Sequence, residues 1–171
     1  GYKSIENFFT GVLGRFRNLS KRDFLCIGKG EPINIKGVNI YAIPDLAVKS
    51  GDFYYFYDWK TGYPTEEDKL QLCCYAFYGN FKWGIPFEKI KLCPVYLAKG
   101  RVNLRPLSIN WCEVKIEEYI RNSIRDMRTY LKGEDLEMNE PKEIEEFKKT
   151  EDKKKCEKCF FKEICLNLKR V

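Results

Sequence analysis

Two aspartates frame the chemistry open to this chain. Pro44-Asp45 closes one β-prone run, and Asp58-Trp59-Lys60 closes the next, with 12 residues between the aspartates. Twelve residues span two short strand segments and a turn. Asp45, at the end of one strand, and Asp58, near the end of its antiparallel neighbour, are therefore expected side by side. Two carboxylates so placed hold a hard divalent cation through oxygen, and the peptide carbonyl of Trp59 offers a third ligand. Lys60 stands two residues beyond Asp58 and projects from the same sheet face. An ammonium there orients an attacking water or offsets charge building on a phosphoryl group. The plain alternative is a hairpin that merely ends in two acids and a lysine. Gln71 and Tyr75 follow on the next helix, four apart and so on one face. There they either contact Lys60 or a phosphate, or are ordinary polar and aromatic positions of an amphipathic helix.

The cysteine and histidine counts narrow the remaining chemistry. The 171 residues include 8 cysteines and no histidine. Serine–histidine and cysteine–histidine hydrolysis and histidine-ligated zinc are excluded within this chain. Five cysteines (Cys26, Cys73, Cys74, Cys93, Cys112) lie in apolar surroundings and read as buried free thiols. Cys73 and Cys74 are adjacent on a helix and cannot both face one site. Cys156, Cys159 and Cys165 cluster near the end, a spacing that points to metal rather than to disulfides where no signal peptide is seen. Thiolates suit zinc and iron–sulfur alike.

The elements that must position these groups follow from local pattern. SIENFFTGVLGRFRNL (4–19) has helical periodicity with Ser4 as N-cap. INIKGVNIYAIPDLAV reads as a hairpin whose second strand ends near Asp45, and FYYFYDWK (53–60) as a strand. Thr65 caps a helix over about 66–78, with Glu66 and Glu67 in its first turn. Residues 89–99 and 102–107 suggest a hairpin about Gly100, and 112–131 a helix stopped by Lys132-Gly133. The order predicts an α/β fold, a small central sheet flanked by helices. Residues 1–132 are expected to form the core, 133–155 a charged connector, and 156–171 a cysteine segment packed on the core.

Composition supports one folded, non-membrane domain. Hydrophobic residues make up 44% and aromatics 15%, enough for a core, and no apolar run reaches the ~18 residues of a spanning helix. No secretory signal is present at the start, so a cytoplasmic location is expected. The net charge is +6, and residues 132–171 are balanced, with eleven bases and eleven acids. The excess sits in residues 1–131, which suits a polyanionic partner.

Taken in order, Ile43-Pro44-Asp45, Asp58-Trp59-Lys60-Thr61-Gly62 and Gln71-Leu-Cys-Cys-Tyr75 resemble the PD-(D/E)xK nuclease superfamily in its RecB-like branch. Cys156-x2-Cys159-x5-Cys165 resembles the C-terminal iron–sulfur staple of the AddB-type and CRISPR-associated members. The resemblance covers about 37–80 and 153–166 well. It implies a restriction-endonuclease-like core with a mixed sheet and a cysteine staple. It also implies a Mg²⁺- or Mn²⁺-dependent deoxyribonuclease, an exonuclease ahead of an endonuclease, in repair, recombination or CRISPR adaptation. Asp45 and Asp58 would be metal ligands, Lys60 the catalytic lysine, and Gln71 and Tyr75 the accessory pair. Cys156, Cys159 and Cys165 would bind a [4Fe–4S] cluster, with zinc as the alternative. The partners implied are single-stranded DNA or duplex ends and a helicase or other processing subunit. The branch adds a metal-binding histidine or glutamate on an upstream helix, for which Glu6 is the candidate. It also adds a fourth cysteine, either Cys26 or one preceding Gly1. The competing expectation is a nuclease-fold module that binds DNA or protein without a complete metal site.

Overall fold

The computed structural model describes residues 1–35, 37–98, 102–107, 112–133 and 138–167, apart from the side chains of 66, 112–115, 164, 166 and 167. The chain forms two compact units, Gly1–Arg121 and Asn122–Val171. In chain order the first holds α1 (Tyr2–Gly11), β1 (Phe24–Ile27), β2 (Ile33–Ile35), β3 (Val38–Ile40), β4 (Leu46–Ser50), β5 (Phe53–Lys60), α2 (Glu66–Trp83) and β6 (Ile90–Tyr96). Helix α3 (Cys112–Arg128) begins in this unit and ends in the next. The second unit adds α4 (Lys153–Glu157) and α5 (Lys162–Asn167). In it Leu131 pairs with Pro141 in a single bridge, and Tyr130 stacks on Phe147.

The central sheet has the order β1-β4-β5-β6. Strands β4 and β5 are antiparallel, from Ser50 opposite Phe53 to Leu46 opposite Tyr57, and Gly51 at φ 60° supplies the left-handed turn residue between them. Strand β6 runs parallel to β5, Tyr54 opposite Ile90 through Lys60 opposite Tyr96, with α2 as the crossover. This is the central α/β sheet with flanking helices that the element order predicts, and its mixed strand directions are those that the resemblance implies.

Alternation along β5 divides its side chains between two layers. Tyr55, Tyr57 and Trp59 stack along one face, where Phe16 meets Tyr57 edge-on and Phe8 meets Trp59 edge-on. Val12, Leu46, Val48, Cys93 and Val95 fill the rest of that core. Phe56, Asp58 and Lys60 point to the opposite face, under α2. That helix approaches so closely at Gly79 that a Cβ there would overlap the Phe56 ring, which glycine alone avoids. The aromatic run is thus mainly core, as its alternation suggests.

Four expectations need correction. The first helix spans Tyr2–Gly11 and passes into a 3₁₀ turn at Leu13–Phe16; Ser4 lies inside it and is buried, and Gly1 is the cap. Gly11 and Gly14 weaken a helix where the periodicity alone would continue it. The hairpin of β2 and β3 ends at Ile40 and forms a separate two-stranded sheet, so Asp45 precedes β4 instead of ending a strand. No strand forms in 102–107: Leu107 makes one bridge to Leu92, and the turn at 99–101 lies outside the described residues. Pro94 lies within β6, an edge strand where a missing N–H is tolerated but a second ladder is not supported. Finally, Cys73 is disulfide-bonded, not a free thiol. Cys26, Cys74 and Cys93 are free, and burial pushes the Cys93 thiol up to about 12 and Cys74 to about 11. No helix among the described residues is long and apolar enough to cross a membrane.

Candidate active site

The β4–β5 register ends with Leu46 opposite Tyr57, one residue short of Asp45 and Asp58, and the two carboxyls are near enough for the Asp45 charge to act on Asp58. Asp45 Oδ2 accepts the Trp59 backbone N–H at 2.8 Å, which ties the loop before β4 to the end of β5. Asp58 is only 3% exposed. Its Oδ1 accepts from the Tyr75 hydroxyl at 3.2 Å. Its Oδ2 lies 2.8 Å from Lys60 Nζ, an ionic contact, and among the described residues no donor meets this buried oxygen with ordinary hydrogen-bond geometry. Burial, with the nearby Asp45 charge, pushes the Asp58 carboxyl above the usual carboxylate range against the opposing pull of Lys60 and Tyr75.

The helix caps this pair from above. Thr65 and Asp68 form a reciprocal capping box at the start of α2, as the N-cap expectation required, and Gly84 in the left-handed region ends the helix. One turn on, Gln71 and Tyr75 reach the sheet. Lys60 Nζ donates to Gln71 Oε1 at 2.5 Å, and Gln71 Nε2 donates to the Tyr75 hydroxyl at 2.7 Å. The hydroxyl in turn donates to Asp58, closing a ring of four side chains from Lys60 through Gln71 and Tyr75 to Asp58. Burial and the two aspartates raise the Tyr75 pKa, so the hydroxyl stays a donor.

Two residues that the motif reading did not name complete the surroundings. Asp68 Oδ1 lies 3.4 Å from Lys60 Nζ, and its Oδ2 accepts from the Thr65 N–H at 2.8 Å and the Tyr96 hydroxyl at 2.9 Å. Burial alone would raise the Asp68 carboxyl; these donors and Lys60 outweigh it and hold the pKa below the usual value. Burial pushes Tyr96 up to about 12. For Lys60, burial works against the ammonium, yet Asp58 and Asp68 together keep its pKa above the ordinary lysine value. Thr65-x2-Asp68 is visible in the sequence as a capping pattern. Tyr96 is reached only through the parallel register that sets it beside Lys60. An open pocket of about 420 Å³, lined in part by Pro64, Asp68, Leu72, Tyr96 and Leu107, adjoins this cluster.

The fit to a divalent cation can be judged from these groups. Mg²⁺ commonly uses one or two protein carboxylates and keeps several waters. The Asp45–Asp58 pair, with a buried oxygen lacking a directed donor, meets that requirement. Among the described residues no group of three Cys, Asp or Glu side chains is placed to hold a metal ion. Glu6 is exposed on α1, and no described contact links its carboxylate to Asp45 or Asp58. Cys156, Cys159 and Cys165 lie around α4 and α5 as free thiols, with Cys159 exposed, and do not converge on one ligand sphere. Cys26 Sγ donates to the Pro44 carbonyl at 3.4 Å, a packing contact behind the Asp45 loop.

The family model of the PD-(D/E)XK nuclease superfamily matches residues 5–166. Neither a curated protein nor a solved structure gives a significant match.

Proposed function

The chain belongs to the PD-(D/E)XK nuclease superfamily, and on that premise we propose that it is a metal-dependent deoxyribonuclease. The observation that carries this reading is the buried Asp58 oxygen without a directed donor, beside Asp45 and within reach of an ammonium. A bound Mg²⁺ or Mn²⁺ supplies an activated water and offsets charge on the phosphodiester. Asp45 and Asp58 would hold the cation, with the Trp59 carbonyl available as a further oxygen donor. Lys60 orients the nucleophile and faces the charge that develops on phosphorus. Gln71 and Tyr75 fix the lysine and the Asp58 carboxylate. The basic excess in residues 1–131 favours sequence-tolerant, salt-sensitive binding of a nucleic-acid backbone. The pocket beside Tyr96 offers apolar walls to a sugar or base next to the scissile bond.

The Lys60–Gln71–Tyr75–Asp58 ring supports placement in the RecB-like branch, and with it exonucleolytic action at DNA ends in repair, recombination or CRISPR adaptation. The test is incubation of the purified chain with linear and covalently closed circular DNA, with Mg²⁺ or Mn²⁺ and with chelator. Linear DNA should be degraded only with metal, circular DNA spared, and Asp45→Asn inactive. Degradation in excess chelator, or a fully active Asp45→Asn variant, would refute the assignment.

Support for a [4Fe–4S] cluster or zinc at the tail is the Cys156-x2-Cys159-x5-Cys165 spacing alone. Protein purified without oxygen should carry iron and absorb near 400 nm (roughly, for thiolate-bound iron). Metal-free protein with a normal unfolding transition would remove this part of the reading.

A further inference from the structure

The lysine in this site has more carboxylate than it needs. Lys60 Nζ lies 2.8 Å from Asp58 Oδ2 and 3.4 Å from Asp68 Oδ1, and it also donates to Gln71 Oε1. A cation held by Asp58 through Oδ2 would take the oxygen that the ammonium now faces. Two positive charges compete for one buried atom, and whatever holds Lys60 elsewhere favours the cation. Asp68 is built to do so. The Thr65 N–H and the Tyr96 hydroxyl both bond its Oδ2, which fixes the carboxylate and leaves Oδ1 turned toward the ammonium. Tyr96 comes from β6, opposite Lys60 in the parallel register, so two elements clamp Asp68 in place. An N-cap contact alone would not require the Tyr96 hydroxyl.

We propose that Asp68 is a positioning residue for metal binding: it provides the second anchor that holds Lys60 when Asp58 gives up its Oδ2 to a divalent cation. The inference rests on the metal-dependent reading of the Asp45–Asp58 pair. Asp68 acts through Lys60, so its effect should vanish when the lysine carries no charge.

Mn²⁺ affinity, measured by calorimetry on the full chain without DNA, is the readout. Asp68→Asn keeps an acceptor for the Thr65 N–H but loses the charge. It should weaken Mn²⁺ binding roughly tenfold, the middle of the range for coupled neighbours. In a Lys60→Met background the same substitution should change affinity by less than about twofold, the additivity expected of uncoupled sites. Asp68→Glu should recover part of the loss. Unchanged affinity in Asp68→Asn overturns the proposal. So does an equal loss in both backgrounds, since that would mean direct attraction of the cation by Asp68. Should Asp68→Asn fail to fold, Tyr96→Phe removes the clamp while keeping the charge. It should show the same dependence on Lys60 at smaller amplitude, and no change would again overturn the proposal. Wild-type protein that binds no Mn²⁺ would refute the metal site itself, and this inference with it; normal wild-type binding with an indifferent Asp68 would refute this inference alone.

Discussion

Asp58→Asn is expected to destroy Mg²⁺-dependent DNA cleavage and, in the absence of metal, to make the protein harder to unfold. The two effects share one cause. Asp58 is 3% exposed, one of its oxygens has no directed donor, and its carboxyl resists ionisation because burial outweighs its pairing with Lys60. A carboxyl whose pKa is raised in the folded state destabilises the fold above its ordinary titration range, and a neutral amide of the same shape escapes that penalty. Asparagine keeps the shape and an acceptor for the Tyr75 hydroxyl; its amide nitrogen replaces the oxygen facing Lys60, and Lys60 keeps Gln71 and Asp68. Metal-free Asp58→Asn should therefore melt at a higher temperature than wild type at neutral pH, and the gain should fade as the pH falls through the raised Asp58 titration and the wild-type carboxyl becomes neutral. The same exchange removes a charged oxygen from the cation, and cleavage should fall by about 10³-fold or more, equal to several kcal/mol of transition-state stabilisation. Thermal unfolding in chelator, beside a cleavage assay with Mg²⁺, reads both. A variant that loses activity and also loses stability would assign Asp58 to the scaffold.

The second large effect belongs to Lys60. Lys60→Met preserves most of the stem and removes the ammonium, and kcat should fall about 10²–10³-fold, as for loss of one preorganised donor to a developing oxyanion. Mn²⁺ affinity should not fall, because the charge facing Asp58 Oδ2 at 2.8 Å is gone. Stability should respond in the opposite sense to Asp58→Asn, since the methionine leaves a buried carboxylate without its ionic partner. Adding Asp58→Asn to Lys60→Met should restore that stability without restoring cleavage. Denaturant midpoints for the four proteins of this cycle, with Mn²⁺ calorimetry, give the answer. Lost metal affinity in Lys60→Met would show that the lysine organises the carboxylates instead of serving the reaction.

Much of this arrangement is legible in the sequence because its controlling interactions are local. FYYFYDWK forms a strand over its full length, and two-residue alternation puts Asp58 and Lys60 on one face. Thr65 caps α2, and the four-residue spacing of Gln71 and Tyr75 brings both to Lys60 and Asp58. What the pattern does not reveal depends on distant pairing. Residues 89–107 suggest a hairpin because two β-prone runs flank a glycine. The crossover through α2 instead gives β6 to β5 as a parallel neighbour, and Pro94 discourages a second ladder. That parallel register carries Tyr96 to Asp68, so the clamp on Asp68 stays hidden even though the capping pattern is in plain view. Likewise Asp45 reaches its place from a loop before β4, held by a backbone N–H that no local motif specifies.

The most direct test is a Mn²⁺ titration of wild-type protein and Asp58→Asn, followed by thermal unfolding in the absence of DNA. A ligand that binds only the folded state adds about 2.7 kcal/mol at a hundred times its Kd. The wild-type transition should climb with Mn²⁺ while that of Asp58→Asn, higher at the outset, stays fixed. A wild-type transition indifferent to Mn²⁺, or an equal climb in the two proteins, would contradict a metal site built on Asp58.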